Sequence, residues 1–168
     1  VGKANFEAPH ECSRVMILDL TSEPHGCLLR KILFCTLDYC DQFSLVFHSK
    51  SRQSRIAEAL APYLLETHLQ DQWPGTVIGG GGAQVNYYRL NPQTIDLILN
   101  ASDRLYGWVE WDNSLPEDLA LYRQDRTPFL GTISYETDGF FVVSDDEYYR
   151  LSEAVPEILQ ITEIRSLE

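Results

Sequence analysis

The chain has 168 residues, 44% hydrophobic and 23% charged, which is the composition of an ordinary globular protein. This length allows one domain with a core that needs no disulfide or metal ion. With 25 acidic and 13 basic residues the net charge is −12, which argues against nucleic-acid partners because phosphates are bound by clustered Lys and Arg. We find no apolar run of membrane-spanning length, so we expect no membrane contact, and a secretory signal is absent or already removed. We expect a cytoplasmic protein.

The N-terminal half predicts alternating strands and helices. Residues 1–12 are polar and predict a flexible tail, followed by a single α/β domain over residues 13–168. Strands are predicted at 14–20 and 43–47, since both segments are apolar enough to lie inside a sheet. A helix is predicted after each strand, the first ending near Tyr39 and the second beginning after Ser54, with Pro62 interrupting the second.

The C-terminal half is richer in strand-forming residues. Two strands are predicted around a glycine loop, at 73–78 and 83–89, followed by a helix that opens at Asn91-Pro92. Three further strands are predicted at 119–123, 129–135 and 139–143. A helix capped by Ser144 and stopped by Pro156 comes next, and a last strand is predicted at 158–164. The elements together predict an α+β fold, α/β-like in its N-terminal half. We expect a mixed β-sheet with three to four helices packed on it.

Residues 110–147 carry most of the negative charge. This segment holds ten carboxylates and two arginines, a balance of −8, and it overlaps the three predicted strands. An acidic face on a rigid sheet could repel nucleic acid, hold a metal ion or meet a basic protein, and aromatic side chains beside carboxylates make good interface anchors. The candidate partner-binding residues are Trp111, Glu117, Asp118, Tyr135, Glu136 and Asp138.

Catalytic chemistry has weaker support in the sequence. Glu117, Asp118, Glu136 and Asp138 could assist a metal-dependent hydrolase, but no lysine follows Lys50 to handle the attacking water. No nucleophile elbow is present, and the glycine run at 79–82 precedes a predicted strand rather than the helix that a phosphate loop needs. We therefore expect no catalytic residue, metal or cofactor, and a metal-assisted hydrolase remains the alternative.

The four cysteines lie at positions 12, 27, 35 and 40, without a C-x-x-C pair. This pattern predicts buried, reduced thiols of the kind found in the cytosol rather than a disulfide framework or a zinc site. A third hypothesis for function is a structural or regulatory subunit that forms homodimers through a sheet edge, with the strands of 72–90 and 118–143 as the candidates.

Three sequence elements carry a resemblance to a known group of proteins: W-P-G-T at 73–76, L-P-E-D-L at 115–119 and S-Y-E-x-D at 134–138. Over roughly residues 40–155 the chain resembles a poorly characterised group of bacterial proteins common in actinobacteria. It departs from that group at Arg126, Phe129 and Tyr135, where glycine, tryptophan and histidine are expected. The resemblance implies a bacterial cytosolic protein. By class, small acidic proteins of this kind are similar to immunity proteins, so we expect an inhibitor of a basic toxin or effector.

Overall fold

The structure, a computed structural model, describes residues 14–109 and 114–165, and its frame is one sheet of eight strands. Beside the sheet lies a two-stranded hairpin, β4–β5. The strands are β1 (Val15–Leu20), β2 (Gln42–Phe47), β3 (Leu64–Gln70), β4 (Gln72–Trp73), β5 (Thr76–Val77), β6 (Ala83–Arg89), β7 (Glu117–Tyr122), β8 (Pro128–Ile133), β9 (Asp138–Ser144) and β10 (Thr162–Ile164).

The strand order in the large sheet is β10-β1-β9-β8-β7-β2-β6-β3, and each neighbouring pair is antiparallel. Strands β1 and β2 therefore run in the same direction, with three other strands between them. The predicted α+β class is confirmed, since one large sheet and its helices form a single unit. The strands that carry the acidic segment, β7 to β9, lie in the middle of the sheet rather than at its edges.

The helices are α1 (Gly26–Cys35), α2 (Arg55–Leu60), α3 (Pro92–Ala101), α4 (Asp145–Ala154) and α5 (Ile158–Ile161). Leu29, Ile95 and Leu151, from three of these helices, share one buried cluster with Phe43 and Leu45 of β2. Within the described residues, no helix is both long and apolar enough to cross a membrane.

The second face of the sheet is covered in part by hairpin β4–β5. Because side chains alternate along a strand, Val46 points away from Leu45 and joins a smaller buried cluster with Trp73, Ala83 and Val85. Gly75, in the turn of this hairpin, has a φ of 85°, and a Cβ there would lie 2.9 Å from Cγ1 of Ile133. The glycine of the W-P-G-T element is thus required both by its backbone conformation and by its close approach to β8.

Three segments differ from the prediction. Residues 158–164, predicted as one strand, form helix α5 (Ile158–Ile161) followed by the short strand β10 (Thr162–Ile164). Residues 73–78 form the small hairpin rather than one strand of the main sheet. The second helix ends at Leu60, a 3₁₀ turn containing Pro62 follows, and the chain continues as β3 from Leu64. Proline removes a backbone donor and cannot continue the helix, so the predicted interruption at Pro62 is confirmed, whereas strand β3, which follows it, was not predicted. The predicted tail, residues 1–12, lies outside the described residues.

Candidate functional site

The three sequence elements of the resemblance meet at one buried carboxylate. Asp118 in β7 is only 7% exposed, and its Oδ2 accepts a hydrogen bond of 2.8 Å from the indole Nε1 of Trp73. Its Oδ1 accepts a second bond of 2.8 Å from the backbone N–H of Ser134. Asp118 has a φ of 53°, a conformation that Asp tolerates better than most residues. The hairpin, the start of β7 and the turn after β8 are therefore joined at a single side chain.

The protein environment opposes ionisation of Asp118 overall. Burial raises the pKa of its carboxyl group, while the bonds from Ser134 and Trp73 and the nearby His48 act in the other direction. A buried carboxylate with two internal donors holds structure together and has no free face for a partner. Asp118 was predicted to contact a partner, but its burial limits it to positioning the residues around it.

Glu117, beside it, is also engaged within the protein. Its Oε2 lies 3.0 Å from Nε2 of His48, and its side chain is 14% exposed. His48 is anchored by the chain after β2, where its backbone N–H donates to Oγ of Ser51. Glu117 is therefore largely buried and engaged by His48 rather than open to a partner.

Tyr135 and Glu136 are the exposed residues of the predicted set. Both lie in the 3₁₀ turn Ser134–Glu136 between β8 and β9, and Tyr135 is 53% exposed. Thr137 closes the turn with a φ of 54°. Because the backbone N–H of Ser134 is bound to Asp118, the turn has a fixed base. The geometry presents an aromatic ring and a carboxylate side by side on a rigid support.

Asp138 follows the turn and is partly buried. Its Oδ1 accepts the backbone N–H of Gly139 at 2.8 Å. Behind it, Tyr106 is buried, and this burial together with the charges of Asp138 and Glu23 raises the pKa of Tyr106 to about 12. Asp138 adds negative charge next to Glu136 without being fully open to solvent.

The other carboxylates of the acidic segment do not extend this surface. Glu147 is paired with Arg123 through a 2.6 Å bond at the opposite end of β9, and Asp125 accepts bonds from Thr127 in the turn before β8. The acidic segment is thus divided between the two ends of the central strands. Trp111 lies outside the described residues, as do Glu110 and Asp112.

Metal coordination would require several of these carboxylates to converge. Across residues 14–109 and 114–165, no group of three His, Cys, Asp or Glu side chains is placed to hold a metal ion. Asp118 is directed at Trp73 and Ser134, and Glu117 at His48. The four carboxylates named for a metal-assisted hydrolase are therefore not arranged as its ligands.

A polar cleft of about 260 Å³ on the second face was not predicted; it is lined by Gln42, His68, Gln70, Tyr87, Tyr122 and Arg126. Its groups are bonded to one another or to neighbours: Tyr87 donates to Gln70, the Tyr122 and Ser44 hydroxyls lie 3.0 Å apart, and the guanidinium of Arg126 binds Glu66. The lining residues come from four strands and one turn, so no local sequence pattern could have identified the cleft.

Arg126 joins the turn before β8 to the outer strand of the sheet. Its φ of 67° is in the left-handed region that favours glycine. In this chain the arginine reaches across to Glu66 of β3 and lowers the pKa of that carboxyl group to about 2, together with His68. The turn before β8 is thereby tied to the outer strand of the sheet.

The thiols agree with the prediction only in part. Cys40 is buried, and burial raises its pKa to about 12, whereas Cys27 is exposed and Cys35 is intermediate. All three are free thiols.

No protein-family model, curated protein or solved structure was found to match this chain.

Proposed function

We propose that this chain is a non-catalytic binding protein that neutralises a basic protein effector, in the manner of a bacterial immunity protein. The contact surface is the turn between β8 and β9 with its neighbours, which we call the turn surface: Tyr135, Glu136 and Asp138. The observation that carries the proposal is the exposed pair Tyr135–Glu136 on a turn whose base is bound to buried Asp118.

Charged and aromatic side chains contribute to binding in different ways. Carboxylates steer a basic partner and raise the association rate, whereas a tyrosine that becomes desolvated in the complex slows dissociation. The net charge of −12 favours approach of a basic protein to any part of the chain, and the turn surface adds an anchor at one place. A rigid base reduces the entropy lost on binding, since the turn is ordered before the partner arrives.

A cytoplasmic location is part of the same proposal. Free thiols at Cys27, Cys35 and Cys40 fit a reducing compartment. An immunity protein would act there on an effector before that effector is exported or after it enters the cell. The metal-assisted hydrolase has less support, because Asp118 and Glu117 are already engaged by other side chains.

The test is binding to any basic protein encoded next to the gene for this chain; if no such protein binds, the proposal is contradicted. Tyr135→Ala and Glu136→Lys should each weaken the complex at least about tenfold, a loss of about 1.4 kcal/mol or more in binding free energy. Glu58→Lys is the matched control, because it reverses an exposed carboxylate on helix α2 and changes the net charge equally. Equal effects of Glu136→Lys and Glu58→Lys would show that only overall charge matters and would remove the turn surface from the proposal.

A further inference from the structure

Strand β3 ends the sheet and leaves one side of its backbone without a strand neighbour among the described residues. It has seven residues, and within residues 14–109 and 114–165 its one strand partner is β6. Leu65 and Leu69 on this strand are 41% and 73% exposed. An outer strand with apolar side chains is a ready template for pairing with another strand. At the other end of the sheet, β10 has only three residues and offers a much shorter edge.

The sequence of β3 is self-complementary. Its residues are Leu64-Leu-Glu-Thr-His-Leu-Gln70. When two copies of this strand run antiparallel with Thr67 opposite Thr67, Leu65 of each copy lies opposite Leu69 of the other. In the same register, Glu66 of each copy lies opposite His68 of the other. Glu66 also binds Arg126 and lies 2.7 Å from His68 within its own chain, so the pairs across the two copies would extend this existing cluster of charges. Cross-strand apolar pairs and acid–base pairs of this kind stabilise a ladder, whereas like charges in opposition destabilise it.

Other registers are less favourable. A two-fold axis perpendicular to the sheet relates the two copies of β3 and keeps each face of the joined sheet continuous. Such an axis passes beside a residue that lies opposite its own copy, so the alternative registers are centred on neighbouring residues of β3. With the axis at Glu66, two carboxylates face each other, and with the axis at His68, two imidazoles do. Only the register centred on Thr67 places Glu66 opposite His68. The irregularity in β3 lies at Leu65, between Leu64 and Glu66. The regular part of the strand therefore holds Thr67 and the Glu66–His68 pairs at the centre of this register, and the outer Leu65–Leu69 pairs include the residue at the irregularity.

We propose that two copies of this chain associate through β3, antiparallel and centred on Thr67, which joins the two sheets into one. The three strands β7, β2 and β6 separate β3 from β8 in the sheet. The dimer interface at β3 is therefore separate from the turn surface. This inference goes beyond the proposed function. It also replaces the edges expected from the sequence, because β6, β7, β8 and β9 are all interior strands.

The first experiment is sedimentation velocity of the full chain from low micromolar to millimolar concentration. The wild type should shift from monomer to dimer within this range. Leu69→Lys places two new cations in the paired edge and should raise the dissociation constant at least about tenfold. Leu159→Lys is the control, since Leu159 is an exposed leucine on helix α5, outside the sheet edge at β3. Both substitutions are at exposed positions, so the monomer fold should be retained, which circular dichroism checks.

The second experiment fixes the register. Opposite residues in an antiparallel pair have Cα atoms about 4.5–5.5 Å apart, within the range that a disulfide can bridge. In a Cys27→Ser background, Thr67→Cys should form a 67–67 disulfide on mild oxidation, mapped by mass spectrometry, and His68→Cys should form much less. A chain that stays monomeric at all concentrations would overturn the proposal. This includes a monomer in which another segment of the same chain protects the backbone amides of β3. Equal behaviour of Leu69→Lys and Leu159→Lys, or preferred cross-linking at position 68, would also overturn it.

Discussion

The indole nitrogen of Trp73 donates a hydrogen bond of 2.8 Å to Asp118, which lies 45 residues later in the chain. Trp73 belongs to hairpin β4–β5 and Asp118 to β7, so the bond connects the small sheet to the large one. The second oxygen of the same carboxylate binds the backbone N–H of Ser134, at the base of the exposed turn. One buried side chain thus supports the turn surface from below.

Replacing Trp73 by phenylalanine should therefore destabilise the fold. Trp73→Phe keeps an aromatic ring in the small cluster but leaves Oδ2 of Asp118 without its donor in a buried position. The expected loss is about 1–3 kcal/mol in the free energy of unfolding, measured by urea denaturation. Glu136→Gln at the exposed turn is the control and should change stability by less than about 0.5 kcal/mol. If both variants unfold at the same urea concentration, the Trp73–Asp118 bond does not stabilise the fold.

A side chain at Gly75 should destabilise the fold. Gly75→Ala adds a Cβ that would lie 2.9 Å from Ile133 and 3.1 Å from Phe140, at a φ of 85° that disfavours alanine. We expect a cost of about 1–3 kcal/mol from the strained backbone alone, seen as a lower thermal midpoint. Gly79→Ala is the matched control, because nothing lies within 4 Å of its Cβ position. A Gly75→Ala variant as stable as Gly79→Ala would mean that the hairpin does not pack on β8 in this way.

Acid should destabilise the protein in part through Glu147. Burial opposes its ionisation, but the bonds from Arg123 and the Ser144 N–H dominate and hold the pKa of Glu147 below its usual value of 4.5. A carboxyl group whose pKa is lower in the folded state stabilises the fold above the unfolded pKa. That contribution is lost as the pH falls through the folded pKa. The free energy of unfolding of the wild type should therefore fall as the pH is lowered from about 5 to about 3.

Glu147→Gln should weaken this pH dependence. Glutamine can still close the capping box with Ser144 but cannot form the ion pair with Arg123. Urea denaturation at several pH values should give a flatter curve for Glu147→Gln than for the wild type, while the exposed control Glu58→Gln should follow the wild type. Parallel curves for wild type and Glu147→Gln would contradict a role for the Arg123 pair in acid stability.

Local signals in the sequence predicted much of the fold. A helix was predicted to open at Asn91-Pro92, and Ser144 was predicted to cap another; the side chains of Asn91 and Ser144 both accept a bond from the third residue of their helix. The strand predicted at 14–20 is observed as Val15–Leu20, and that at 43–47 as Gln42–Phe47. These elements are determined by short-range patterns of apolar and capping residues. Strand β3 was missed because its exposed sequence lacks such a pattern and its position depends on pairing with β6.

The candidate site was predicted less completely. The segment that carries Tyr135 and Glu136 was identified from its charge, and both residues are exposed. Charge alone could not separate these residues from Asp118, whose burial depends on Trp73 and Ser134, distant in sequence. One signal for the burial of Asp118 was available. This residue lies next to Leu119 at the start of β7, and the residues of β7 are buried on both faces of the sheet. The polar cleft and the β3 edge needed the strand order, which the sequence does not specify locally.

The most direct test of the proposed function is the salt dependence of association with a basic protein that binds this chain, sought first among the products of neighbouring genes. Stopped-flow or surface-based kinetics would be recorded for the wild type from low to physiological ionic strength. If the turn surface steers the partner, the association rate should fall about tenfold or more over this range while the dissociation rate changes little. Glu136→Gln should reduce that salt dependence, and Glu58→Gln should leave it closer to the wild type. An association rate that does not change with salt would show that the carboxylates of the turn surface do not guide binding.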